Sequence, residues 1–155
     1  MTGVLIVLAT VLVQVMLVNR APLPGGVTPD LVVLAVIGVA MVRGPAAGAM
    51  IGFGAGLLAD VMPPTAHLLG QYAFVLAVVG YLAGRGLGGS AVTTVMACVI
   101  LAPLLAAGLG GLISDPRVTV ATLTDQVPLT IAYTLLLSPI VMWLSSRTMR
   151  PGYAT

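Results

Sequence analysis

The 155-residue chain is 59% hydrophobic and only 6% charged, and its formal net charge at pH 7 is +2. A soluble domain carries about 25% charged residues, so this composition excludes a globular protein with a water-facing surface. Because one membrane span needs about 20 apolar residues, we expect an all-α integral membrane protein with a single polytopic transmembrane domain over residues 1–155.

Six apolar segments predict a bundle of about six transmembrane helices. They are separated by short stretches rich in Gly, Pro, Asp and Arg, which are typical of turns and helix ends. The first segment lacks a basic region and a small-x-small cleavage site, which favours a retained span over a signal peptide. Pro103 and Pro139 predict kinks, because proline removes a backbone hydrogen bond. The predicted helices occupy residues 2–19, 29–43, 45–61, 69–85, 91–113 and 127–146.

The second and third segments are shorter than about 20 residues, so two full spans and one re-entrant hairpin both fit them. The sequence Thr28-Pro29-Asp30 predicts the start of a helix. Thr28 is its expected cap, Pro29 its first-turn residue, and Asp30 an acid that complements the helix dipole. Gly44-Pro45 predicts the start of the third helix in a similar way.

The arginines are unevenly distributed over the predicted connections. With a cytoplasmic N-terminus and six spans, four arginines lie inside and two outside, which favours cytoplasmic N- and C-termini. The inside group is Arg43, Arg85, Arg147 and Arg150, and the outside group is Arg20 and Arg117. In this orientation the acidic residues and the histidine gather at the outer ends of the helices; they are Asp30, Asp60, His67, Asp115 and Asp125.

A row of glycines begins just before the third predicted helix, recurs every four residues along it and ends in an aspartate. In lipid the hydrophobic effect does not drive helices together, so small residues that admit close backbone approach mark a packed interface. Two interpretations remain open. The row packs within this chain or forms a groove for the transmembrane helix of a partner protein, and both can hold on different faces of the helix. It comprises Gly44, Gly48, Gly52, Gly56 and Asp60.

Asp60 carries the charge in this otherwise apolar helix. A charged side chain at the membrane centre costs about 2.5–3.5 kcal/mol, so such residues usually face the interior of a bundle. Because Asp60 lies near a helix end, it is either a capping acid in the outer interface or one half of a pair that positions the third helix. The candidate partners are Arg20, His67, Arg117 and a donor from another protein.

The sequence contains no recognisable catalytic set, so we expect no enzyme, no cofactor, no metal and no nucleic-acid binding. Residues 84–89 match G-x-G-x-x-G, but no predicted strand precedes them, and a cytoplasmic turn is the better interpretation. His67 lacks a positioned partner for acid–base work. Cys98 is the single cysteine, which excludes an internal disulfide and predicts a small buried residue.

Several short motifs follow one another between residues 29 and 84. They are Pro29-Asp30-Leu31, Gly52-Phe53, Gly56, Leu58, Asp60, Leu69-Gly70 and Tyr81-Leu82. Their order resembles the MreD family, a multispan membrane component of the bacterial rod-shape and cell-wall elongation machinery. The family pattern has Pro-Asp or Pro-Asn at one helix start, then Gly-x-x-x-Asp, Leu-Gly and a helix that contains Tyr. Residues 61–68 depart from it, because the family has a shorter turn with Gly or Ser there.

The resemblance implies a non-enzymatic scaffold in the bacterial cytoplasmic membrane. MreD-like proteins bind the single-span protein MreC and work with the RodA glycosyltransferase, its penicillin-binding transpeptidase and the MreB filament. The bundle of the family is similar to the substrate-binding S components of energy-coupling-factor vitamin transporters, which supply the alternative function. An S component needs an outward pocket with placed polar groups. The outer loops offer few of them, among them Asn19, Gln71 and Gln126, which favours the scaffold.

Overall fold

In a computed structural model, the described part of the chain folds into six α-helices joined by short connections. The structure describes residues 2–20, 24–62, 70–87, 89–113 and 119–148, and these ranges contain no strand. The prediction of an all-helical fold is confirmed. The helices are α1 (Thr2–Met16), α2 (Leu31–Arg43), α3 (Pro45–Val61), α4 (Gln71–Arg85), α5 (Ala91–Leu112) and α6 (Val120–Thr148), and two 3-10 turns (Val18–Arg20 and Pro24–Gly26) connect α1 to α2.

Helix α2 lies at the centre of the bundle and contacts each of the other five helices. Its residues 32–40 are all buried, so no side of this stretch is exposed. A helix that is apolar all round belongs in a core. Its 13 residues extend over roughly 20 Å, which is less than the roughly 30 Å of a hydrocarbon core. The five surrounding helices therefore bury α2 inside the bundle and keep it from the bundle surface.

Three helical segments are long and apolar enough to cross a membrane, namely Thr2–Arg20, Ala91–Leu112 and Leu123–Trp143. These segments carry most of the large apolar side chains that are exposed, such as Leu5, Leu104 and Leu136. Helices α2 and α3 are also apolar but shorter. The surface thus exposes apolar side chains on its longest helices, where a soluble protein would expose charged ones.

The start of α2 differs from the predicted one. Asp30, and not Thr28, is the N-cap, since its Oδ1 accepts a hydrogen bond from the backbone N of Val33 at 3.0 Å. Pro29 precedes the helix, so its assignment to the first turn was wrong. A carboxylate satisfies the first-turn amides and also interacts favourably with the positive end of the helix dipole, which explains why Asp30 takes this position.

The connection between α2 and α3 is the single residue Gly44. Its φ of +90° lies in the region that favours glycine, and its backbone N donates to the carbonyl of Ala40 at 2.8 Å. Pro45 is the first residue of α3, which confirms the predicted helix start. Proline suits this position because the missing amide would have no partner in the first turn.

Helix α6 begins at Val120, whereas the sequence predicted residue 127. The helix therefore contains both Pro128 and Pro139. Proline leaves the carbonyl four residues earlier without its usual amide donor. At Pro139 a neighbouring hydroxyl compensates, because Ser138 Oγ donates to the carbonyl of Leu135 at 2.7 Å. Such compensation by Ser or Thr lets an apolar helix continue through proline.

Candidate functional site

The glycine row of α3 packs against α4 of the same chain. A Cβ atom built at Gly48, Gly52 or Gly56 would lie closer than 3.0 Å to backbone atoms of α4. Gly48 faces Gly80, whereas Gly56 faces Ala73, so the two helices run antiparallel. Backbone contact of this kind requires glycine on the approaching surface.

Helix α4 contributes small residues to the same interface. A Cβ at Gly80 would lie closer than 3.0 Å to the backbone of Gly48, and one at Gly84 would come equally close to Gly44. The face of the row is thus filled by α4, and a partner helix has no access to it. Of the two interpretations of the row, the structure supports packing within the chain. Gly54 lies outside this interface, with no atom within 4 Å of an added Cβ.

Asp60 caps α4 from the neighbouring helix. The residue is 4% exposed, and its Oδ2 accepts hydrogen bonds from the backbone N of Gly70 at 2.9 Å and of Ala73 at 3.2 Å. Gly70 is the N-cap of α4 and has no side chain that can satisfy these amides. First-turn amides lack intrahelical partners, and their dipole favours a negative charge. Asp60 therefore connects the end of α3 to the start of α4.

Asp60 accepts hydrogen bonds from backbone amides of α4, and the predicted Arg20 is not one of these donors. His67 and Arg117, two further candidates, lie outside the described residues. The capping interpretation of Asp60 agrees with these hydrogen bonds, but the sequence did not identify α4 as the helix that Asp60 caps, because Gly70 lies ten positions further along the chain. A carboxylate at the end of one helix, followed by an uncapped helix start, is the signal that points to it.

Asp30 joins three helices at the same end of the bundle. Besides capping α2, its carboxylate accepts a hydrogen bond from the hydroxyl of Tyr72 on α4 through Oδ2. Its backbone N donates to Thr134 Oγ1 on α6 at 3.1 Å, and Thr134 is 2% exposed. Asp30 thereby positions α2 relative to both α4 and α6.

Gln14 attaches α1 to the start of α2. Its Nε2 donates to the carbonyl of Pro29 at 2.9 Å, and its Oε1 accepts from the backbone N of Leu31 at 3.0 Å. The amide thus bonds to the backbone on both sides of Asp30. It also donates to Asn19 Oδ1 at 3.0 Å, which holds the chain that leaves α1.

The polar contacts at this end join all six helices. The contacts described above connect α1, α2, α3, α4 and α6. Gln71 of α4 connects the remaining helix, α5, because its Nε2 donates to the carbonyl of Ala106 at 2.8 Å. These hydrogen bonds run to backbone groups and to one another, an arrangement that orients helices. Among the described residues, no group of three or more His, Cys, Asp or Glu could hold a metal ion. We call this set the polar cluster; it comprises Gln14, Asp30, Asp60, Gln71, Tyr72 and Thr134.

The residues that carry the resemblance are only partly brought together. Pro29 and Gly70 lie at the polar cluster, where the Pro29 carbonyl accepts from Gln14 and the Gly70 amide donates to Asp60. Tyr81 lies toward the opposite end of α4, and its hydroxyl accepts a hydrogen bond from Arg85 Nη1 at 3.5 Å. The motif residues Pro29 and Gly70 therefore lie at one end of the bundle, and the motif residue Tyr81 lies near the other end.

Sequence reasoning missed Gln14, Tyr72, Thr134, Gly80 and Gly84. Gln14 interrupts the apolar run of α1, which is a usable signal for a buried polar contact. The spacing of Gly80 and Gly84 by four residues matches the row on α3 and identifies the second half of the interface. Thr134 carries no comparable signal, since a threonine in an apolar helix often bonds to its own backbone.

Protein-family models, curated proteins and solved structures provide no match to this chain. Two features of the described residues are therefore the basis for a functional proposal. The first is the polar cluster, and the second is the glycine interface between α3 and α4. Both features position helices relative to one another.

Proposed function

We propose that this chain is a non-enzymatic scaffold in the bacterial cytoplasmic membrane, an MreD-like component of the rod-shape and cell-wall elongation complex. In this proposal its six helices form the transmembrane bundle that binds an MreC-like single-span protein. A RodA-type glycosyltransferase and a penicillin-binding transpeptidase work beside it. The observation that carries the proposal is the polar cluster, because its polar side chains form hydrogen bonds that connect all six helices to one another.

The residues behind the resemblance support a positioning role. Asp30 and Asp60 cap α2 and α4, and Gly70 donates one of the capped amides. Gly52 and Gly56 admit the close approach of α3 to α4. A scaffold needs such residues to present a defined surface, whereas an S component needs polar groups directed into a ligand pocket. The hydrogen bonds of the described residues therefore favour the scaffold.

The surface that binds the partner differs from the one that the glycine row suggested. Helix α4 occupies the row, so the MreC-like span binds on the exposed apolar faces of the long helices. These faces include Leu12 of α1, Ile100 and Leu104 of α5, and Leu136 of α6. Association of spans in lipid depends on shape complementarity between such faces.

The charges at the two ends of the bundle support the proposed orientation. Asp30, Asp60 and Asp125 lie near the helix ends at the polar cluster, while Arg43 and Arg85 end α2 and α4 at the opposite side. Arginine accumulates on the cytoplasmic side. The arginine end therefore faces the cytoplasm in this proposal, together with both termini.

Cysteine labelling tests this orientation. In a Cys98→Ala background, Ala121→Cys is expected to react with an impermeant maleimide in intact cells, because α6 begins on the outer side. Ala91→Cys, at the start of α5, is expected to react only after the cells are permeabilised. Both native side chains are exposed, so access is comparable. The reverse pattern would invert the orientation, and labelling of both in intact cells would show that α5 does not cross.

Co-purification tests the scaffold function itself. We expect the chain to be recovered with a tagged MreC-like protein that is expressed in the same cells, and to restore rod shape in cells that lack their own MreD-like protein. An unrelated single-span protein with the same tag provides the control. Equal recovery with both proteins would contradict the proposal. Recovery with an ATPase and a T component, together with vitamin binding, would instead support the S component.

A further inference from the structure

Two arginines end neighbouring helices at the end of the bundle opposite the polar cluster. Arg43 ends α2, Arg85 ends α4, and both are exposed. The adjacent glycines hold the two helix ends in contact, since a Cβ at Gly84 would lie closer than 3.0 Å to the backbone of Gly44 and Pro45. With consecutive Cα atoms about 3.8 Å apart, this contact limits the separation of the two arginine Cα atoms to roughly 13 Å. Two extended arginine side chains can then bind one anionic group.

No described carboxylate neutralises this pair of arginines. The chain has four acidic residues. Asp30, Asp60 and Asp125 lie toward the polar-cluster end, and Asp115 lies outside the described residues. Within the described ranges the arginine end therefore carries positive charge alone, which suits an anionic ligand.

Tyr81 indicates the depth of the arginine pair in the proposed membrane location. It is 42% exposed, and its hydroxyl accepts a hydrogen bond from Arg85 Nη1 at 3.5 Å, one helical turn away. Tyrosine concentrates where a membrane meets water, with its ring in the apolar layer and its hydroxyl in the polar one. In the proposed membrane location, this preference of tyrosine puts the Arg85 guanidinium at the level of the lipid phosphates.

We propose that Arg43 and Arg85 form a binding site for the phosphate of an anionic phospholipid, such as phosphatidylglycerol or cardiolipin. Guanidinium groups bind phosphate oxygens through paired, charge-assisted hydrogen bonds. Basic sites between membrane helices are suited to such headgroups. The site depends on the proposed membrane location but not on the MreC-like partner, so lipid binding and scaffold function are tested separately.

Native mass spectrometry of the purified full chain, with phosphatidylglycerol or phosphatidylcholine added, tests the site. The wild-type chain is expected to retain phosphatidylglycerol preferentially. The double variant Arg43→Gln/Arg85→Gln is expected to lower this retention roughly 30-fold, the effect of about two charges near an anionic headgroup. Arg20→Gln is the matched control, because Arg20 is an exposed arginine at the polar-cluster end, and its retention should equal that of the wild type.

Further variants distinguish binding at this site from a general attraction between positive charge and anionic lipid. Arg43→Lys/Arg85→Lys keeps the charge but loses the paired geometry, so its retention should lie between those of the wild type and the glutamine pair. If the glutamine pair does not fold, each single glutamine variant is expected to show part of the loss. Wild-type retention in the glutamine variants, or an equal loss in Arg20→Gln, would overturn the proposal. Displacement of the lipid by inorganic phosphate would show a free-anion site instead and would also overturn it.

Discussion

Gly52→Leu is expected to unfold the α3–α4 pair. The three atoms nearest to an added Cβ at Gly52 all belong to the backbone of Leu76 and Ala77, and the nearest lie closer than 3.0 Å. Backbone cannot rotate away as a flexible side chain can, so the two helices must separate along their length. Overpacking a well-packed core costs about 1–3 kcal/mol, and we expect at least the upper value here. Denaturant titration of the purified chain in mixed micelles measures this loss.

Gly54→Leu is the matched control for this substitution. Gly54 lies on the same helix two residues later, and an added Cβ there meets no atom within 4 Å. Replacing a helical glycine that has free space removes the backbone-entropy cost of glycine, which is about 1 kcal/mol in a helix interior. We therefore expect unchanged or slightly higher stability. Equal loss of stability for Gly52→Leu and Gly54→Leu would show that the glycine row is not a close-packed interface.

Asp60→Ala is expected to cause the second large loss of stability, because it leaves the first turn of α4 uncapped. Loss of an N-cap costs about 1 kcal/mol, and leaving a buried amide without its acceptor costs a further 1–3 kcal/mol or so. The same denaturant titration is expected to show a total loss of about 2–4 kcal/mol. Rod-shape complementation should fall in parallel, because the proposed partner surface depends on how α4 is placed.

Asp60→Asn separates a capping role from a chemical one. The amide oxygen of asparagine still accepts from the α4 amides, and only the charge–dipole interaction is lost, which is about 1 kcal/mol. The asparagine variant should therefore be milder than the alanine variant in both assays. Asp125→Ala removes an exposed carboxylate and should change stability by no more than about 0.5 kcal/mol. Folded but fully inactive alanine and asparagine variants would instead indicate that the carboxylate acts chemically.

The sequence predicted the helices well because their determinants are local. The apolar segments and their Gly, Pro and Arg boundaries indicated α3 and α4 to within about two residues, the usual uncertainty of helix ends. Helix α6 begins seven residues before the predicted residue 127, so Pro128, which would lie in the first turn of the predicted helix, lies inside the observed one. Its position inside the helix depends on contacts that a local pattern does not contain.

The candidate site was only partly predictable, and the reason differs between its two halves. A glycine row is visible in the sequence, because its four-residue spacing follows from the helix period. The surface that covers it is not, since Gly80 and Gly84 meet the row only after the hairpin closes. The row was therefore open to two interpretations until α4 was seen to fill it.

The sequence by itself determined the composition class, the helical segments and the distribution of charge between their ends, because these follow from the solvent and from the helix period. The tertiary structure alone decided that α2 lies among all five other helices, which helix Asp60 caps and how Gln14, Asp30 and Thr134 meet. A hydrogen bond between helices is made by residues far apart in the chain. Its geometry depends on the packing of the whole bundle, and no local spacing encodes it.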